Sequence, residues 1–306
     1  MVQSKNGARR TFSEMNKGVI TVAAVLSALL FVSACDKETN VKSSQTVTIH
    51  ATLEGSDPTT RTAVSEDGKV SWMPGDNIFV YAGSDFGNGG TVTPYVFKSD
   101  LSSPAYLADF TGKMEINEDE TYIAFYPGDD ISDSYWGTRY NSLGEMDNPF
   151  DGYLMPDQSD SYDGEIGAHA LLATYSTGSL DNLIFMNVCS GLKFSLSSGG
   201  FTEVSLSGND GEAIAGAFTL AFDVDATPLV YPAEDASKVA KMSAFGSGMF
   251  PNEWLYLLIF PQTFEKGITI SLKKDGAEAG SVVINDPIEF KRGVWKKAEN
   301  IDTKAE

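Results

Sequence analysis

Cys35 is the residue of this chain best placed to do chemistry. It closes the stretch Val32-Ser33-Ala34-Cys35, after an uncharged apolar run from Val19 to Val32 that basic Lys5, Arg9, Arg10 and Lys17 precede. Small residues ahead of a cysteine suit a signal peptidase that cuts there and leaves the thiol to carry lipid. The apolar run falls short of the roughly 20 residues that span a bilayer, and Asp36-Lys37-Glu38 breaks its pattern at once. Residues 1–34 are therefore read as an export signal and Cys35 as the acylated first residue of the mature chain. Met15-Asn16-Lys17 opens a cleaner signal, which makes residues 1–14 a candidate start-site artefact.

The remaining reactive types point away from catalysis. With Cys35 lipidated, Cys189 is left alone in the apolar stretch Ile184-Phe185-Met186-Asn187-Val188-Cys189, where it reads as a small buried apolar residue. A cysteine nucleophile needs a neighbouring base, and the two histidines, His50 and His169, stand in no recognisable catalytic context. The sequence holds no GxSxG elbow, no HExxH and no phosphate-binding glycine loop. A carboxylate pair for glycoside hydrolysis cannot be singled out among 42 acidic residues. The chain reads as a non-enzyme without a cofactor.

Ligand chemistry has one stronger candidate. Tyr135-Trp136-Gly137-Thr138-Arg139-Tyr140 lies in a polar stretch beside Asp133 and Asn141. Flat aromatic faces stack on the apolar faces of sugars while amides and carboxylates bind their hydroxyls. Tyr135, Trp136 and Tyr140 are the candidate ligand residues, with loop packing as the competing reading. Trp72, before Pro74-Gly75-Asp76, reads as a core or turn-packing residue. Asp157, Ser159, Ser161 and Asp163 alternate like the start of a calcium loop, but Tyr162 stands where Gly is needed and Ala168 where Glu is needed. No metal site is assigned.

Charge narrows the partners. The formal net charge is −20, and removal of the basic signal makes the mature body more acidic still. Such a surface repels phosphates, which argues against nucleic acid and against electrostatic docking on anionic lipid.

The elements that would position these residues are strands. Val47, Ile49, Ala51 and Leu53 alternate with Thr46, Thr48, His50 and Thr52, the pattern of a half-buried strand. Similar runs recur at Ile78 to Tyr81, Tyr95 to Phe97, Tyr122 to Tyr126, Leu192-Phe194-Leu196, Val204-Leu206, Leu255 to Phe260, Ile268-Ile270-Leu272 and Val282 to Ile284. Between them stand turn signals such as Asp67-Gly68, Pro127-Gly128-Asp129, Asn209-Asp210-Gly211 and Asp275-Gly276. Ala233 to Met242 is the one window after the signal that fits a short helix. Many short strands with regular turns predict an all-β chain of sandwiches. Residues 35–45 read as a tether, 46–181 as an amino-terminal sandwich domain with a long loop-rich middle, and 182–306 as a carboxy-terminal sandwich domain.

The order of these pieces resembles a known family. Cys35 with its signal, the first strand, Thr60-Arg61-Thr62, and Val70-Ser71-Trp72 followed by Gly75-Asp76-Asn77-Ile78-Phe79-Val80-Tyr81 are similar to the amino-terminal pattern of Bacteroidales fimbrillin-family (Mfa-like, fimbrillin-like) lipoproteins. Phe185-Met186-Asn187, Gly191 to Leu196, Ala215-Gly216-Ala217-Phe218, Phe260-Pro261-Gln262 and Phe290-Lys291-Arg292-Gly293 are similar to that family's later half. The resemblance implies two tandem transthyretin-like β-sandwich domains and export as an outer-membrane lipoprotein held through Cys35. It also implies assembly with other fimbrial subunits by strand exchange, after an arginine-specific protease removes the first strand. Arg61, in a Pro- and Thr-rich segment, is the candidate processing site. The chain ends a few residues after Ile301, and a long donor extension of the kind expected in stalk subunits is not evident, which leaves a tip, accessory or anchor-like role open. The competing reading is a monomeric surface lipoprotein that binds a host or microbial glycan or protein.

Overall fold

The computed structural model describes residues 44–54, 71–83, 94–126, 151–159, 171–244 and 248–306, all within one compact unit, Ser44–Glu306. The regular structure is β, as the alternating pattern predicts, with one short 3-10 turn, Ile301–Thr303, among the described residues near the end. The first eight strands are β1 Gln45–Leu53, β2 Asn77–Ala82, β3 Tyr95–Ser99, β4 Leu107–Met114, β5 Thr121–Tyr126, β6 Asp151–Leu154, β7 Leu172–Thr177 and β8 Asn182–Asn187. All but β6 form a closed barrel in the order β1-β4-β3-β2-β5-β7-β8.

Eleven strands follow: β9 Ser190–Phe194, β10 Glu203–Gly208, β11 Gly216–Phe222, β12 Pro228–Pro232, β13 Val239–Ser243, β14 Leu255–Ile259, β15 Gln262–Phe264, β16 Ile268–Lys274, β17 Ala277–Ile284, β18 Ile288–Phe290 and β19 Trp295–Ala298. They make sheets in the orders β13-β10-β16-β17, β12-β11-β6, β14-β9-β19 and β15-β18. Nearly all pairing is antiparallel, but β8 runs parallel to β1 and β19 parallel to β9.

Two hydrophobic cores result, and β2 and β5 separate them. Ile78, Val80, Ala82, Tyr122, Ala124 and Tyr126 point into the barrel core. Phe79, Tyr81, Ile123 and Phe125, on the other face of the same strands, belong to the second core. A strand buried on both faces reads as a continuous apolar run, which is why Ile78 to Tyr81 and Tyr122 to Tyr126 lack polar interruptions.

Two stretches pair outside the ranges read from composition. β8 closes the barrel, with Leu183 and Phe185 in its core. β6 pairs with β11, and Leu154 lies in the second core. The segment after β6 then wedges between β13 and β14, where the Gln158 side chain accepts from the Leu258 N–H and donates to the Leu258 carbonyl, each at 2.8 Å. The amide thus mimics a neighbouring strand on a buried edge. The short helix expected over Ala233 to Met242 is absent. Pro232 ends β12, a turn follows, and Val239–Ser243 alternates Ala240 and Met242 into the core against β10. Sheet pairing overrides a weak helical spacing there.

The last turn is pinned by Asp302. Its carboxylate accepts from the Ser197 N–H at 2.6 Å, the Ser197 hydroxyl at 2.7 Å, the Ser198 N–H at 3.0 Å and the Ser198 hydroxyl at 2.7 Å. Burial pushes this carboxyl up, but the serine hydrogen bonds outweigh it and hold the carboxyl below its ordinary range. A group depressed in the folded state adds stability above its unfolded pKa and loses it as pH falls through the folded value. Asp302→Asn is expected to flatten the fall of stability below about pH 4, read as urea midpoints across a pH series. A slope equal to that of the parent chain contradicts this account.

Candidate functional site

The seat of the first strand is the most complete recognition geometry in the described residues. β1 pairs antiparallel with β4 from Gln45↔Met114 to Thr52↔Leu107, and parallel with β8 from His50↔Asn182 to Leu53↔Phe185. Its alternation does what the sequence predicts. Ile49, Ala51 and Leu53 are 0%, 0% and 6% exposed, while Thr46, Thr48 and His50 face outward. The apolar side chains of β1 belong to the barrel core and none to the second core. On the outer face the His50 imidazole meets Asp109 of β4, Nδ1 to Oδ1, at 2.5 Å.

Trp72 forms the floor of this seat. It is fully buried and makes edge contacts with Phe110 of β4, Phe185 of β8 and Tyr126 of β5 at centroid distances of 5.0, 5.2 and 5.4 Å. This is the core role that its place before Pro74-Gly75-Asp76 predicts. Gly75 takes φ of 92° in that turn, a conformation that favours glycine. Asp76 closes the turn by accepting from the Met73 N–H at 2.7 Å and from the Tyr126 hydroxyl at 3.2 Å.

The seat ends in a polar clamp. Glu54 follows β1 directly, and its N–H donates to the Phe185 carbonyl at 2.9 Å, extending the ladder with β8. The Glu54 carboxylate accepts from Arg292 Nη1 at 2.5 Å, from the Asn187 N–H at 2.8 Å and from Asn187 Nδ2 at 3.4 Å. Arg292 Nη1 also donates to the Asn187 carbonyl at 2.8 Å. The ion pair is largely shielded, with side chains 22% and 25% exposed for Arg292 and Glu54. Arg292 is held by the turn between β18 and β19, where Gly293 takes φ of 68° and donates to the Cys189 carbonyl at 2.8 Å. Sequence reasoning missed this clamp. Its only local signal is an acid placed straight after the last inward apolar residue.

The residues predicted to act fall mostly elsewhere. Cys35, Arg61, Tyr135, Trp136 and Tyr140 lie outside the described residues, as do Ser161, Asp163 and His169. Asp157 has its own partners. Burial pushes its carboxyl up, yet hydrogen bonds from Lys241, at 2.8 Å, and from Ser159 bring it below the usual range. Among the described residues no group of three or more His, Cys, Asp or Glu could hold a metal ion. Cys189 is buried, and burial pushes its thiol far up, the opposite of an activated nucleophile.

A second aromatic cluster lies on the sheet β14-β9-β19. Trp254 receives the ammonium groups of Lys193 and Lys297 at 4.9 and 4.5 Å from its ring centroid. Trp295 lies over Gly191, where a Cβ would come within 2.1 Å of the ring, and meets Tyr256 edge-on at 5.4 Å. These rings are engaged by the chain itself, which makes the cluster a packing feature of the sheet.

No family model matches the chain, and no curated protein matches it. Solved structures do. A proposed cell adhesion protein of Bacteroides ovatus is 10% identical, with 84% of this chain and 92% of that chain covered and a TM-score of 0.48. One of Bacteroides uniformis is 15% identical over 78% of this chain and 84% of that chain, with a TM-score of 0.45. The tip fimbrial protein Mfa3 of Porphyromonas gingivalis, truncated at its C terminus, is 11% identical over 79% and 82%, with a TM-score of 0.36.

Trp72→Ala removes the floor on which β1, β4, β5 and β8 meet. It is expected to cost about 3–5 kcal/mol, measured as the loss in urea unfolding free energy. A loss under about 1 kcal/mol would place Trp72 outside the packing that holds the seat.

Proposed function

We propose that this chain is an exported, lipid-anchored subunit of a surface fimbrium, without catalytic activity, that joins other subunits by exchange of its first strand. The observation that carries this reading is the one-sided packing of β1. Its core side chains serve one core alone, and it fills the gap between β4 and β8. Its link to the rest of the barrel runs through residues 55–70, which contain Arg61. A barrel that loses such a strand exposes an apolar groove flanked by unpaired backbone groups, and a strand with matching alternation can refill it through ladder hydrogen bonds.

The sequence resemblance to fimbrillin-family lipoproteins supports the same reading, because it implies arginine-directed removal of the first strand. Beyond the signal the chain has three arginines, Arg61, Arg139 and Arg292. Arg292 is occupied in the clamp on Glu54. Lipid on Cys35 would hold the subunit at the outer membrane while it awaits a partner. The polar, aromatic sequence around Trp136 is the proposed place for an adhesive contact, since flat rings beside amides and carboxylates suit sugar rings.

The test is intact mass and oligomer size of the chain from residue 36 onward, before and after limited digestion with an Arg-specific protease. A single cut after Arg61, followed by multimers whose size grows with protein concentration, is expected. A chain that resists cutting at Arg61, or stays monomeric after it, overturns strand exchange. The glycan-binding reading would then be tested on glycan arrays with Trp136→Ala as control.

A further inference from the structure

We infer that Arg292 and Asn187 form a carboxylate receptor at the end of the β1 seat, so that a strand entering the seat must carry Asp or Glu directly after its last inward apolar residue. This rests on the strand-exchange reading and adds what that reading lacks, a rule for which strand fits. Ladder hydrogen bonds are blind to side chains, and alternating apolar residues occur in most strands of this fold. Neither feature distinguishes one incoming segment from another. A shielded cation does.

While β1 is seated, one oxygen of Glu54 gathers the contacts of the receptor. The Glu54 carboxylate takes Arg292 Nη1, the Asn187 N–H and Asn187 Nδ2. When Glu54 leaves, a guanidinium that was 22% exposed loses its anionic partner and keeps only the neutral Asn187 carbonyl, and the Asn187 N–H at the end of β8 loses its acceptor. A strand that replaced Glu54 by a neutral residue would leave that charge shielded and unanswered, which is the costly half of a broken ion pair. The receptor is also built to be rigid. Arg292 is held to the Asn187 carbonyl, and the Gly293 N–H is fixed on the Cys189 carbonyl. A Cβ at Gly293 would stand 3.1 Å from the Glu54 carboxylate, so glycine there leaves the carboxylate its room. The occupant is therefore an extended segment, antiparallel to β4 and parallel to β8, with the pattern of Ile49, Ala51, Leu53 and then Glu54.

The experiment uses the whole chain nicked by an Arg-specific protease and two fluorescent, C-terminally amidated peptides spanning residues 45–56, one with Glu and one with Gln at position 54. The Glu peptide is expected to bind about tenfold tighter or more, with the preference falling below about twofold in Arg292→Ala. Equal binding of the two peptides to the parent chain overturns the receptor, and so does a Glu preference that survives in Arg292→Ala. If neither peptide enters, strand exchange itself fails and the receptor falls with it. Hydrogen exchange in the un-nicked chain supplies a readout that needs no cut or arginine variant. Glu54→Gln is expected to speed exchange at the Thr52 to Glu54 amides while leaving β16 unchanged, and unaltered protection there overturns the clamp.

Discussion

Everything else in the fold depends on β2 and β5 being buried on both faces. Side chains alternate along a strand, so one apolar set fills the barrel and the other fills the second core. Burying a Phe or Ile side chain contributes roughly 1.5–3 kcal/mol, and Phe79, Tyr81, Ile123 and Phe125 give that to the second core while their neighbours give it to the first. A slip of one residue would exchange the two sets, setting Phe79 where Val80 fits, so register is held from both sides at once. The pair is a fixed partition against which other strands can be added or removed.

β1 is the contrasting element. Its outer face carries Thr46, Thr48 and His50, and its core side chains touch one core. The second-core faces of β2 and β5 therefore pack without any side chain of β1. That asymmetry makes a removable strand compatible with a stable body, because loss of β1 would open the barrel core and take no side chain from the second. Sheet edges elsewhere are covered or blocked. Gln158 covers the edge of β14, and Glu306 exchanges two hydrogen bonds with Ser281 of β17. Pro228 and Pro232 bound the edge strand β12, where proline withholds the donors an added strand would need.

Much of this fold is legible in the sequence because the period of two is a local property. The alternation through Val47, Ile49, Ala51 and Leu53, the unbroken runs of β2 and β5, and the core role of Trp72 each follow from residues within one short window. What stays hidden is long-range. Nothing near Glu54 announces Arg292, which is 238 residues away, and nothing near Asp151–Leu154 announces β11. The window from Ala233 to Met242 misleads for the same reason. Ala236 and Ala240 fit a helix face, but β10 offers Ala240 and Met242 a register against Leu206 and Val204, and a distant partner decides the conformation.

The charge balance gives the clamp its weight. In a chain with 42 acidic residues and 22 basic ones, an acidic group approaching the surface meets repulsion almost everywhere. Exposed ion pairs such as Lys297 with Glu299, 55% and 58% exposed, contribute little and are screened by salt. The pair of Glu54 with Arg292 differs in being more shielded and in sharing hydrogen bonds with Asn187, and such a pair discriminates more sharply between a partner present and a partner missing. It also joins the end of β1 to the turn between β18 and β19. The residue just past β1 is thus held by Asn187 and Arg292, which links the occupied barrel to a turn of the later sheets.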